Sequence, residues 1–256
     1  MDIPLNTDQV LEVKLSGKFA HFRKFYTNAS SLTYTIPPRT TICGILASIL
    51  QIPRDEYYDL MSSDKLGIAI SLKNNNYLKI FQTLNYAADK SKKTPINDLS
   101  VHKQCRLELL KAQGDKNLEW LIFLCFNGKQ ENSFLILKDK IQKRDFGYGI
   151  SLGQKQFLAN LEYINSYANI QFIPESNYID SAINMEQIKN LDNENYDLIM
   201  ERMPLEQRLE TRNKKSYRQT FRFGNIMVNT NGNRIIGSFN NVYELDDENK
   251  RRIAIL

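Results

Sequence analysis

An α+β fold is predicted by three features of this 256-residue sequence. Short runs alternate with a period of two, two apolar segments repeat at helical spacing, and these two kinds of segment follow one another in a definite order. With 42% hydrophobic residues, the chain has apolar surface for one sizeable core, or for a core and a small second domain.

Leu11, Val13 and Leu15 alternate with Glu12, Lys14 and Ser16, which marks a half-buried first strand ending at Gly17. In the loop that follows, Lys18, His21, Arg23 and Lys24 stand among Phe19, Phe22, Phe25 and Tyr26. Pro37 and Pro38 fix φ and exclude helix before them, so Arg39, Thr40 and Thr41 open the next element, with Thr40 or Thr41 as its cap. Ile42, Ile45, Leu46, Ile49 and Leu50 give a helix over 40–50 one buried face. A short helix is expected near 55–62, then a compact apolar strand over 67–72 (GIAISL). Residues 77–84 and 105–110 alternate again, so the Lys-, Ser- and Asn-rich insertion 85–104 between them is expected to project as a β-hairpin arm.

The most apolar strand, 118–126 (LEWLIFLCF), is placed at the centre of a sheet covered on both faces. A helix over 132–142 carries Phe134, Leu135, Leu137 and Ile141 on its apolar side; a loop over 144–153 and a strand over 160–166 complete the order. That order approximates a ferredoxin-like or RRM-like sandwich over 1–168 with an inserted thumb at 85–104. Residues 169–256 turn to short alternating runs and are expected to form a small β-rich extension packed on the first domain. Within it, 215–228 and 234–239, joined by Thr230-Asn231-Gly232-Asn233, are expected to pair as a hairpin.

Lys and Arg number 34 against 29 Asp and Glu, a net charge of +5 that suits nucleic acid without specifying it. The charges are segregated. Residues 14–24 hold four basic side chains and no acid, and 202–222 hold seven basic and two acidic, whereas 175–201 hold seven acids and only Lys189. This predicts a basic face for phosphate, with the acidic segment turned elsewhere or simply solvated. Cys43, Cys105 and Cys125 lack metal-ligand spacing and suit a reducing compartment. The first fifteen residues lack an apolar signal core and no run approaches the ~18 residues that span a bilayer, so a cytoplasmic protein is expected. Two scattered histidines give no metal ligand set, and no phosphate loop is present, so no cofactor is expected.

The start of the helix over 40–50 presents backbone N–H groups beside Arg39, which suits an anion. A plain strand–loop–helix unit with solvated charges accounts for the same residues.

Several motifs carry a family resemblance. Gly17-Lys18-Phe19-Ala20-His21-Phe22-Arg23, Tyr34-Thr35-Ile36-Pro37-Pro38-Arg39-Thr40-Thr41 and Gly44-Ile45-Leu46-Ala47 are similar to the N-terminal signature of the CRISPR-associated Cas-five proteins. His102-Lys103-Gln104, Arg106-Leu107-Glu108-Leu109-Leu110, Gly147-Tyr148-Gly149 and Ser151-Leu152-Gly153 extend it to about residue 165, closest to type I-B members. The resemblance implies a subunit of Cascade, the RNA-guided surveillance complex. Such a subunit grips the 5′ handle of the CRISPR RNA, caps the backbone filament by contacting its terminal subunit, and helps dock the large subunit. Target DNA is met only through the complex, where guide base pairing reads sequence.

On that resemblance, Arg23, Lys24 and Arg39 meet handle phosphates, aided by the amides of Thr40 and Thr41, and Phe22 or Tyr26 stacks on a splayed base. Lys90, Lys92, Lys93, His102, Lys103 and Arg106 contribute from the thumb, and Gly147, Gly149 and Gly153 allow close backbone approach. Arg218 and Arg222 extend the basic surface, while Phe19 and Phe25 are assigned to core packing. No catalytic residue is expected. One branch of the family matures CRISPR RNA as a metal-independent endoribonuclease, and His102, Lys103 and Tyr26 would supply its residue types. The His-Lys order here is the reverse of that branch, and neighbouring strand residues point to opposite faces, so reversal misplaces both groups. A generic RRM-like RNA binder is the remaining alternative, although its aromatic stripe is not evident.

Overall fold

β1 (Gln9–Gly17) lies inside a four-stranded antiparallel sheet, hydrogen-bonded along its length to β6 (Leu118–Phe126) on one side and β7 (Asn160–Tyr167) on the other. β3 (Leu66–Leu72) closes the far edge, giving the order β3-β6-β1-β7. The computed structural model describes residues 9–27, 30–73, 77–87, 102–126, 131–192, 197–212 and 215–256. The chain is mostly β-sheet, with two α-helices among the described residues, α1 (Arg39–Ile49) and α2 (Glu131–Lys143).

One face of this sheet is covered by the helices. Leu11, Val13 and Leu15 of β1 and Trp120, Ile122 and Leu124 of β6 share a core with Ile42, Leu46 and Ile49 of α1 and Leu137 and Ile141 of α2. α2 is rotated relative to expectation: Leu135 is exposed, with Phe134, Leu137 and Ile141 buried. The other sheet face is also covered, which corrects the half-buried first strand. Val10, Phe123 and Cys125 pack beneath Tyr243, Leu245 and Ile253 from the end of the chain. Glu12, expected to face solvent, is buried there and accepts two hydrogen bonds from Arg251, at 2.7 and 2.8 Å, and one from Tyr167 at 2.6 Å. A buried carboxylate requires such partners. Residues 55–62 form turns and no helix.

β4 (Tyr77–Ala87) and β5 (His102–Ala112) pair antiparallel from Tyr77–Ala112 to Ala87–His102, and β2 (Phe19–Ala20) adds to β5. The arm's tip, 88–101, lies outside the described residues.

The extension is built from two further sheets. β13 (Ile235–Glu244) pairs with β8 (Gln171–Ile179), β10 (Ile188–Leu191) and β14 (Arg252–Ile253). β11 (Leu198–Arg212) and β12 (Lys215–Asn229) form a long hairpin, joined by β9 (Ile183–Asn184). The expected pairing of 215–228 with 234–239 is therefore wrong. The residues around Gly232 carry the chain from one sheet to another, and the partner of β12 precedes it in sequence.

Candidate nucleic-acid interface

The loop after β2 is held by backbone pairing. Arg23 bridges Thr33, Lys24 N–H donates to the Leu32 carbonyl at 2.9 Å, and Ser31 N–H donates to the Arg106 carbonyl at 3.1 Å. Residues 31–33 thereby lie against β5, and the Thr33 N–H is fixed by the Glu108 carboxylate at 2.8 Å. These contacts bring Arg23 and Arg106, both exposed, to one region from distant parts of the sequence.

Lys24 is partly buried beside them. Its ammonium is 2.8 Å from Glu201 and 5.5 Å from the Tyr34 ring centroid. Burial opposes its charge, but the hydrogen bond to Glu201 and that carboxylate's charge outweigh this and hold its pKa above the ordinary value. Glu201 also accepts the Thr35 N–H at 2.9 Å. The last member of the acidic segment thus neutralises part of the basic loop, while Glu175 and Asp180 pair elsewhere, with Lys189 and Arg234.

Phe22 and Arg39 leave the interface. Phe22 is 2% exposed and packs edge-on against Trp120 with centroids 5.5 Å apart. Arg39 is also 2% exposed; its guanidinium donates to the carbonyls of Leu66 (2.7 Å), Met61 (2.8 Å) and Leu205 (3.2 Å). It ties α1, the 57–66 segment and β11 together. The residue before the helix is Pro38, without a side-chain cap, so neither threonine caps α1. Thr41 spends its N–H on the Pro38 carbonyl at 2.8 Å, and Thr40 is half-buried. The glycines also divide. Gly153 (φ +92°) has its Cα so close to the His21 carbonyl that a Cβ would sit 1.9 Å from that oxygen. Gly147 (φ +52°) packs on Gln51, and Gly149 borders open space. Close approach at Gly153 is therefore to the protein's own backbone.

Lys90, Lys92 and Lys93 lie outside the described residues, and of His102 and Lys103 only the strand backbone is described. Arg218 and Arg222 are engaged by acids, with Arg218 2.6 Å from Asp55 and Arg222 3.5 Å from Glu206.

The structure adds what sequence patterning missed. Phe25, assigned to the core, is 46% exposed and packs between exposed Tyr26, edge to face with centroids 5.1 Å apart, and Phe223, 4.6 Å apart. Arg202 sits 5.3 Å from the Phe223 ring. The only local signal is the interleaving of rings and charges in Arg23-Lys24-Phe25-Tyr26 and Phe221-Arg222-Phe223. Exposed rings with guanidinium partners suit stacked bases of a single strand. The sheet face on which a generic RRM-like binder lays RNA is filled by the extension, so that alternative lacks its surface.

Residues 10–120 match the family model described as CRISPR-associated protein (Cas_Cas5). A CRISPR protein from Archaeoglobus fulgidus has a similar structure, with a TM-score of 0.52 at 13% identity, covering 96% of this chain and 97% of that one. A chain of a CRISPR RNA-guided surveillance complex gives a TM-score of 0.50 at 12% identity, covering 87% and 90%. These two are likenesses of fold. No curated protein matches the sequence significantly. No helix among the described residues is long and apolar enough to cross a membrane.

Proposed function

We propose, from the premise that residues 10–120 make this chain a member of the CRISPR-associated Cas5 family, that it is a non-catalytic subunit of a type I surveillance complex holding the 5′ handle of the CRISPR RNA. In this reading β1, α1, β3, β6, α2 and β7 are the ferredoxin-like, RRM-like domain, and the β4–β5 hairpin is its thumb. The subunit caps the backbone filament, helps dock the large subunit, and works in the cytoplasm.

The observation that carries the reading is the exposed set Arg23, Phe25, Tyr26 and Arg106 within the matched segment, with Arg23 and Arg106 drawn together by the pairing of residues 31–33 and Phe25 resting on Phe223 of the β11–β12 hairpin. Guanidinium groups hold phosphates and exposed rings take splayed bases, a combination that grips a single strand without reading a long sequence. The test is binding of a handle-containing RNA to the full chain. Arg23→Ala and Arg106→Ala each weaken binding and lower the salt slope, and Phe25→Ala costs roughly 1–3 kcal/mol. A chain that binds no such RNA, and fails to co-purify with other complex subunits, refutes the reading. Incubation with repeat RNA in EDTA tests the non-catalytic assignment: cleavage lost on His102→Ala would make the chain an endoribonuclease.

A further inference from the structure

A cavity of about 190 Å³ opens where α1 begins, between residues 57–62 and the β11–β12 hairpin. Tyr57, Tyr58 and Phe221 give it ring faces, and Glu206 and Arg208 line it with them. The space far exceeds the ~10–15 Å³ that one water needs and falls short of the ~300–1,000 Å³ of drug-sized sites. It suits one planar ring system.

Its polar groups narrow the ligand. Glu206 is 8% exposed. Its Oε1 accepts the Ser63 N–H at 2.9 Å and faces Arg222 at 3.5 Å, while Oε2 has no partner among the described residues. Glu206 lines the cavity, so its carboxylate can accept a further hydrogen bond from a ligand held there. At the rim, the Arg208 guanidinium lies 5.2 Å from the centroid of Phe221, which is 46% exposed. Arg208 also pairs with Glu210 at 3.0 Å, and Asp59 lines the cavity with Glu206, so a phosphate at the rim competes with Glu210 for Arg208. Two residues along β12, Phe223 joins Phe25 and Arg202, so ring–guanidinium pairs lead from the 23–26 loop towards the cavity.

We propose that this cavity is a nucleobase pocket for one unstacked, amino-bearing base of a single-stranded RNA. The base stacks on Phe221, its exocyclic amino group donates to Glu206 Oε2, and Arg208 meets the adjoining phosphate. The proposal rests on the RNA-binding reading above and extends its path along β11–β12.

The test is fluorescence anisotropy of the full chain with 12-mers of adenylate, cytidylate and uridylate RNA. The wild type binds the adenylate and cytidylate chains in preference to uridylate. Phe221→Ala weakens those two by roughly 5- to 150-fold, the range of one lost base–aromatic stack. Glu206→Gln keeps an acceptor for Ser63, so the variant folds, but it weakens the preference over uridylate because a neutral amide replaces the carboxylate. Arg208→Ala, at an exposed side chain, weakens binding to all three. Unchanged affinity and preference in the Phe221 and Glu206 variants overturn the pocket. If Arg23→Ala still weakens all three oligomers, the RNA-binding reading survives that failure. If none of the oligomers binds the wild type, both fall.

Discussion

An Arg39→Ala variant tests the reassignment of that side chain from ligand contact to internal strut. Its guanidinium satisfies three backbone carbonyls, those of Leu66, Met61 and Leu205, at 2.7, 2.8 and 3.2 Å. Truncation removes the guanidinium donor from each of these carbonyls; at Met61 the Cys43 thiol is 3.9 Å away. Each buried acceptor left unsatisfied costs about 1–3 kcal/mol. Part of that sum is offset, because burying the guanidinium itself carries a desolvation cost of several kcal/mol. The net loss is about 2–4 kcal/mol, or roughly 4–16 °C in midpoint at about 2–4 °C per kcal/mol for a chain of this size. The assay is a thermal melt followed by circular dichroism, with RNA affinity measured separately well below the midpoint. Affinity per folded molecule should be unchanged. An unaltered midpoint together with about tenfold weaker RNA binding would return Arg39 to the interface and refute the reasoning.

Gly153→Ala should destabilise by at least about 3 kcal/mol, since it combines a φ of +92° with a Cβ 1.9 Å from the His21 carbonyl oxygen. Gly149→Ala, in open space, should stay within about 0.5 kcal/mol; equal urea midpoints for the two variants would contradict this. His21 is buried, donates from Nδ1 to the Glu108 carbonyl at 2.7 Å, and offers Nε2 no partner among the described residues. Burial lowers its pKa below the usual 6.5, so the unfolded chain takes up a proton at a pH where the native state does not. Stability should therefore fall as pH drops below about 6.5 and level off above it. A His21→Gln variant should lose that slope, and identical pH profiles for variant and wild type would sink the assignment.

The elements that sequence located well are those whose own side chains define them. α1 and β6 are apolar enough that periodicity alone sets their limits within a residue or so. β11 went unseen because Glu201, Arg202, Glu206, Arg208 and Glu210 dilute its apolar positions and Pro204 interrupts them. Its absence left β12 with β13 as the nearest apparent partner across a turn-like Asn-Gly step. The site divides in the same way. Arg23 and Arg106, expected to meet phosphates, are exposed. Arg39 and Phe22 look no different locally, yet Arg39 is enclosed by Leu205, 166 residues away, and Phe22 by Trp120. Phe25 erred in the opposite direction: its neighbours are apolar in type but lie at the surface.

The same long-range contacts change the meaning of the basic N-terminal segment. Of its four cations, Lys14 is 2.8 Å from Glu162, Lys18 donates to the carbonyls of Asp115 and Lys116, and Lys24 is 2.8 Å from Glu201. Lys14 and Lys24 are neutralised by acids, whereas Lys18 and Arg23, which donates to the Thr27 carbonyl at 3.5 Å, meet only carbonyls and keep their charge among the described residues. Glu201, 4% exposed, fixes both Lys24 and the Thr35 N–H, so it orders the loop at the expense of its charge. Single strands lose affinity with salt at a slope of about −0.7 per phosphate contact. Residues 14–24 should therefore contribute about −1.4 to that slope, where four free cations would contribute about −2.8. Glu201→Gln should release Lys24 and steepen the slope towards the larger value. A slope unchanged in that variant would mean that Lys24 already reaches the phosphates, and that its pairing with Glu201 gives way when RNA binds.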